Sequence, residues 1–224
     1  MNWKTAYRSF YYEAAPEPED PALPPTDTAL LCIDVQNYGL APKPTAEEQA
    51  RWAPFYDRMH ETVIPNLRAL QQTFRDHKID VIHARIACLL DDGRDRSLSQ
   101  KMPGWNNLLM PRNSEESQII TELAPTADEI VVTKTTDSAL TGTNLRLILR
   151  NMGIRNVIVT GIYTDQCVSS TVRSLADESF NVVLVEDCCA AGTLELHQRE
   201  LEIINRIYCH VLSSAELRAI MELN

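Results

Sequence analysis

The chain has 224 residues, 44% apolar and 23% charged, proportions that suit one globular domain with a single sizeable core. Its formal charge of −10, without a run of Lys or Arg, argues against nucleic acid and anionic membrane as partners and leaves a small molecule as the expected ligand. The apolar stretches are strand-sized and the first twenty residues carry no secretory core, so neither a membrane span nor export is expected and the predicted location is cytoplasmic.

Residues 1–27 read as an extended arm. The stretch EAAPEPEDPALPPT is rich in Pro and acid, and the aromatics before it (Trp3, Tyr7, Phe10, Tyr11, Tyr12) predict contact with the body or with a neighbouring subunit. Residues 28–224 read as one domain. TALLCID (28–34) is a short apolar run ending in Asp34. Residues 46–78 are helical in composition, with breaks expected at Pro54 and Pro65. IDVIHA (79–84) predicts a strand, residues 85–113 a long polar loop, and SEESQIITELAP (114–125) a capped helix. DEIVVTK (128–134) predicts a strand ending in Lys134, and 141–153 a helix stopped by Gly153. NVIVTGI (156–162) predicts a strand, 165–180 a helix, NVVLVED (181–187) a strand and 194–208 a helix. CHVLSS (209–214) predicts a last strand, and 214–223 a last helix without a full capping box.

Six continuous apolar runs alternating with helices predict an α/β fold: a three-layer α/β/α arrangement around a central, mostly parallel, Rossmann-like sheet of about six strands. Ligands in such folds bind beyond the carboxyl ends of the strands. No GxGxxG or P-loop follows the first strand, so a dinucleotide or nucleoside triphosphate lacks its signature.

Three chemically capable residues stand at those strand ends: Asp34, Lys134 and Cys167, the last in the first turn of a helix. Each alone has an ordinary explanation as a turn former, a solvated cation or a core thiol. Together they bring an acid, a base and a nucleophile to one sheet edge. Unpaired amides at the helix start and the Lys134 ammonium predict a lowered Cys167 pKa. A carboxylate can take the thiol proton and return it to a leaving group.

The six cysteines (Cys32, Cys88, Cys167, Cys188, Cys189, Cys209) show no CxxC pair and no zinc spacing, so reduced thiols, no metal and no cofactor are expected. Vicinal Cys188 and Cys189, with Asp187, read as support for a sheet end.

The blocks LLCIDVQN, VVTKTTDSALTGTNL and VIVTGIYTDQCVSSTVRSLADESFNVVLVEDCCAA resemble the isochorismatase-like cysteine hydrolases, over roughly residues 28–215. That family includes nicotinamidases, N-carbamoylsarcosine amidohydrolases, biuret hydrolases and ureidoacrylate amidohydrolases. The resemblance implies the isochorismatase-like hydrolase fold and an Asp34–Lys134–Cys167 triad. It also implies a cis peptide at Ile162–Tyr163, an oxyanion hole from the Tyr163 and Cys167 amides, and a homodimer or homotetramer. The implied activity is hydrolysis of a C–N bond in a small linear amide, carbamoyl or ureide compound through a thioester. The alternatives are an isochorismatase-type vinyl-ether hydrolase with Asp34 as general acid, or a non-catalytic protein of the same fold. Nicotinamidases carry a D-x-H metal motif that this chain lacks, although His83, Asp91 and Asp92 fall in that region. True isochorismatases lack the nucleophilic cysteine that this chain has. Gln36, Asn37, Arg85, Trp105 and Ser138 are candidate pocket residues, with Trp105 placed to form a lid, and His83 reads as a hydrogen-bonded core residue.

Overall fold

The protein is described by a computed structural model covering residues 2–104 and 107–223. Its elements in chain order begin with β1 (Thr28–Ile33), a short α1 (Asn37–Leu40), α2 (Ala46–Arg58), α3 (Ile64–Asp76), β2 (Asp80–Ile86) and β3 (Ile130–Lys134). They continue with α4 (Leu145–Asn151), β4 (Asn156–Ile162), α5 (Ser169–Asp177), β5 (Asn181–Ala190), α6 (Leu194–Ile204), β6 (His210–Leu212) and α7 (Ser214–Ile220). The strands form one parallel sheet in the order β3-β2-β1-β4-β5-β6. The chain builds outward from β1 in one direction, returns to its other side with β4, and so leaves a crevice at the carboxyl ends of β1 and β4.

Both faces of this sheet are covered, which is why its strands read as unbroken apolar runs. Side chains alternate along β1: Leu30 and Cys32 pack with Phe55, Leu67, Phe74 and Leu217 on one face. Ala29, Leu31 and Ile33 pack with Leu145, Leu149, Val172, Leu175 and Leu201 on the other. Helices α2, α3 and α7 thus form one outer layer and α4, α5 and α6 the other. No helix among the described residues is long and apolar enough to cross a membrane.

Four local expectations are corrected. The helical run is not broken at Pro54, which lies inside α2. At Pro65 the chain passes through a π-helical turn, Met59–Val63, and Pro65 then sits in the first turn of α3. A proline needs no amide donor there, and the wider turn absorbs the missing hydrogen bond. Residues 114–125 form no α-helix; only Thr121–Leu123 makes a 3-10 turn. Tertiary hydrogen bonds outweigh local propensity in that segment: the Asn37 and Tyr38 amides donate to Gln118 and Glu116 carbonyls, and the Ile120 amide donates to Val35. Finally, α7 does carry a capping box, built on Ser213 rather than Ser214 and closed by Glu216.

The N-terminal arm lies on its own chain. Trp3 packs edge-on against His210, and its amide donates to Glu216. The Asn205 side chain donates to the Ala6 and Tyr7 carbonyls, while Phe10 and Tyr11 stay exposed.

Candidate active site

Asp34 follows β1 directly, with a left-handed backbone at φ 54°. Its amide donates to the Ala84 carbonyl at 2.9 Å and its carbonyl accepts from Gln36 at 2.8 Å, so β1 and β2 fix this turn. Lys134 ends β3. Cys167 lies in a π-helical turn, Thr164–Val168, that joins β4 to α5. The Ile162–Tyr163 peptide that enters the turn is cis. Gly161 just before it has φ 117°, and a Cβ there would lie 2.0 Å from the Ile33 carbonyl oxygen. Only glycine permits β4 to run this close to the end of β1.

The three side chains meet. Lys134 Nζ lies 2.7 Å from Asp34 Oδ2. The same ammonium donates to Cys167 Sγ at 3.4 Å and to the Thr136 carbonyl at 3.1 Å. Asp34 and Lys134 are 7% and 1% exposed, and Cys167 is 7% exposed. Neither Asp34 oxygen has a partner at hydrogen-bonding angles among the described residues, so its contact with Lys134 is ionic.

Burial pushes the Asp34 carboxyl above its ordinary range, against the pull of Lys134. For Lys134 burial acts downward, but the Asp34 charge and the Cys167 sulfur outweigh it and hold the ammonium above its usual value. The Cys167 thiol is raised well above a free thiol, first by burial and then by the Asp34 charge, with Lys134 opposing. This corrects the expectation of a lowered thiol pKa. The ammonium is there, but a carboxylate accompanies it, and the enclosed site disfavours an anion on sulfur.

A cavity of about 70 Å³ opens at Asp34 and Cys167, lined also by Gln36, Ile86, Met110 and Tyr163 among others. Gln36 forms part of its wall, but its amide is spent on the protein. It donates to the Ile86 and Ser117 carbonyls and accepts from the Ile86 amide. Asn37, Arg85 and Ser138 do not line the cavity. Asn37 donates to the Glu115 carbonyl, Arg85 holds Gln118, and the Ser138 hydroxyl donates to Ser174 and accepts from Leu140. Trp105 lies outside the described residues. His83 is buried and pairs with Glu129 at 3.0 Å, away from the pocket. No group of three or more His, Cys, Asp or Glu among the described residues is placed to hold a metal ion.

The sequence reading missed Asp137. Its Oδ1 is 3.8 Å from Cys167 Sγ and it lines the cavity. Its signal was a carboxylate three residues past Lys134, on the turn that the strand-end argument already placed at the site. Leu108 and Met110, contributed by the long loop, were also missed.

Buried polar and aromatic contacts hold the turn that carries Cys167. His197 on α6 is buried; its Nδ1 lies 2.8 Å from Thr164 Oγ1 and its Nε2 lies 3.0 Å from Arg58 Nη2. Arg58 cannot accept, so Nε2 is the acceptor and Nδ1–H donates to Thr164. Burial lowers the pKa of this ring, which favours the neutral form that the arrangement requires. Arg58 also donates to the Cys189 and Glu186 carbonyls, which ties α2 to β5. From α2, Trp52 and Phe55 pack on the Tyr163 ring at 6.0 and 5.2 Å between centroids. Asp187 accepts from the Ser214 amide and hydroxyl at the start of α7, and all six cysteines are free and buried.

An alpha/beta sheet with a buried acid, base and thiol at its central crevice defines a class, and comparison with known proteins names it. The Isochorismatase domain model matches residues 28–216, so the chain belongs to that family. It is 28% identical over 202 residues to the ureidoacrylate amidohydrolase RutB of Acinetobacter baylyi, covering 86% of this chain and 82% of that protein. Among solved structures it is similar to a cysteine hydrolase from Pseudomonas syringae pv. phaseolicola 1448A, with a TM-score of 0.74, 22% identity, and 92% and 96% of the two chains covered. An Isochorismatase family protein from Burkholderia thailandensis matches with a TM-score of 0.73, 28% identity, and coverage of 91% and 100%.

Proposed function

We propose that this protein is a hydrolase of C–N bonds in a small amide, carbamoyl or ureide compound, with Cys167 as nucleophile. The observation that carries this reading is the position of Lys134 Nζ, in contact with both Asp34 Oδ2 and Cys167 Sγ, two residues that line one cavity. The amidohydrolase named among its relatives supports the same bond class.

The resting site holds a thiol, a carboxylate and an ammonium. The raised thiol pKa means that Cys167 is deprotonated when it is used rather than stored as an anion. Asp34 accepts the thiol proton as Sγ attacks the carbonyl carbon. Lys134 stays charged and balances the negative charge that moves from carboxylate to sulfur to carbonyl oxygen. The Tyr163 and Cys167 amides, at the start of a helical turn, receive that oxygen. Asp34 then returns the proton to the departing nitrogen as the C–N bond breaks and the thioester forms. Water, deprotonated by Asp34, attacks the thioester and releases the acid and the free thiol.

Ammonia or amine release from a panel of small amides, ureas and carbamoyl compounds tests this, with wild type beside Cys167→Ala. Release that disappears in the variant supports the reading. Release that survives it transfers the C–N chemistry to another group and overturns the reading.

A further inference from the structure

Beyond the Asp34–Lys134 pair, the cavity holds a second carboxylate, Asp137, with no described salt-bridge partner. It stands on the rim that joins the cavity to an outer groove lined by Ser99, Asp165, Gln166, Ser169, Ser170 and Arg173. Arg173, the one cation of that lining among the described residues, is taken by Glu200 at 2.8 Å and stacks on Tyr208. Asp165 adds a further negative charge, with one oxygen buried and unpartnered. Inside, Asp34 and Lys134 offset each other, and Asp34 Oδ1 has no donor at hydrogen-bonding angles among the described residues. The rest of the inner wall is mainly apolar: Ile86, Leu108, Met110 and Ile162.

From these contacts we propose that Asp137 sets the charge specificity of the site: it takes ligands that present N–H donors and carry no negative charge, and it excludes carboxylates. This deepens the amide-hydrolase reading, on which the word substrate rests, by naming an uncharged or cationic amide or urea with a compact apolar remainder. It also separates this chain from any relative whose substrate bears a carboxylate. Asp137 Oδ1 lies 3.8 Å from Sγ and Asp34 lines the same cavity, so a nitrogen carrying hydrogens finds carboxylate acceptors near the sulfur. A ligand carboxylate at the same place meets the Asp137 charge, which no described cation offsets, in a partly enclosed site where Coulomb interactions are only partly screened. Asp137 itself is exposed toward the groove, so its effect falls as salt rises.

The test reads charge selection without needing turnover. Three methanethiosulfonates of similar length are used: aminoethyl (cationic), ethyl (neutral) and sulfonatoethyl (anionic). Each forms a mixed disulfide with Cys167 Sγ; the sulfinate leaves with the bonding pair and the thiol proton passes to solvent. The rate at Cys167 is read by peptide mass spectrometry and divided by the rate with a free small thiol. The normalised cation-to-anion ratio is expected to be at least about tenfold at low salt, to fall with added salt, and to collapse toward one in Asp137→Asn. An anionic reagent as fast as the cationic one overturns the proposal, as does a ratio that Asp137→Asn leaves unchanged. Failure of Cys167 to react with any of the three also overturns it, since it shows that the rim does not admit ligands to the sulfur. If the hydrolase reading fails while this ratio holds, the panel shows no Cys167-dependent release but the charge selection stands.

Discussion

The Nζ of Lys134 and the Oδ2 of Asp34 are 2.7 Å apart, and both groups are almost wholly buried. Such a pair is costly to break from one side only. Lys134→Met leaves an uncompensated carboxylate in the interior, and the expected loss is about 3–5 kcal/mol of stability at neutral pH. The double variant Asp34→Asn, Lys134→Met removes both charges and is expected to recover much of that loss. Urea unfolding of the two variants measures the difference; equal losses would show that the charges do not depend on each other.

The thiol carries an opposite expectation for a single change. Asp34 raises the Cys167 pKa, so Asp34→Asn removes a negative charge from beside the sulfur while Lys134 remains. The sign is therefore downward: thiolate absorbance near 240 nm is expected at lower pH in Asp34→Asn than in wild type. Turnover moves the other way and falls by about 10²–10⁴, because the acid and base of the cycle is gone. A thiolate signal already present in wild type at neutral pH would contradict the protonated resting state.

His197 holds the Thr164–Val168 turn, which carries Cys167, through Thr164, and does not line the cavity. His197→Ala is expected to lower kcat at least about tenfold with little change in KM, because small shifts of a nucleophile cost rate before they cost binding. Asn at this position can still donate from its amide, so His197→Asn is expected to regain most of the rate. A general loss of stability without that kcat-against-KM split would point to packing alone.

Gly161 tests the crevice itself. An alanine methyl there collides with the Ile33 carbonyl and requires a backbone conformation that L-residues avoid. The expected loss is at least about 3 kcal/mol, read by thermal or urea unfolding. A stable Gly161→Ala protein would mean that β1 and β4 approach less closely than described.

The sheet was legible in the sequence because β1 and β4 are buried on both faces and carry continuous apolar runs. Asp34, Lys134 and Cys167 were legible because each stands at or just past a strand end, where the fold gathers its site. The failures share one physical origin. Residues 114–125 have helical composition, but their carbonyls are claimed by Asn37, Tyr38 and Gln36, which no local pattern reveals. Arg85 and Ile86 are adjacent in β2, yet only Ile86 reaches the cavity, because neighbours on a strand face opposite ways. The direction of the Cys167 shift was misjudged because enclosure and the nearby carboxylate appear only once the chain is folded.

The most direct test of the central claim is the intact mass of the protein, quenched in acid during turnover of an amide that the panel identifies. The account predicts an adduct equal to the acyl part of that amide, mapped to Cys167, formed as the nitrogen product is released and absent in Cys167→Ala. Turnover at full rate in Cys167→Ala, with no adduct on the wild-type cysteine, would contradict it.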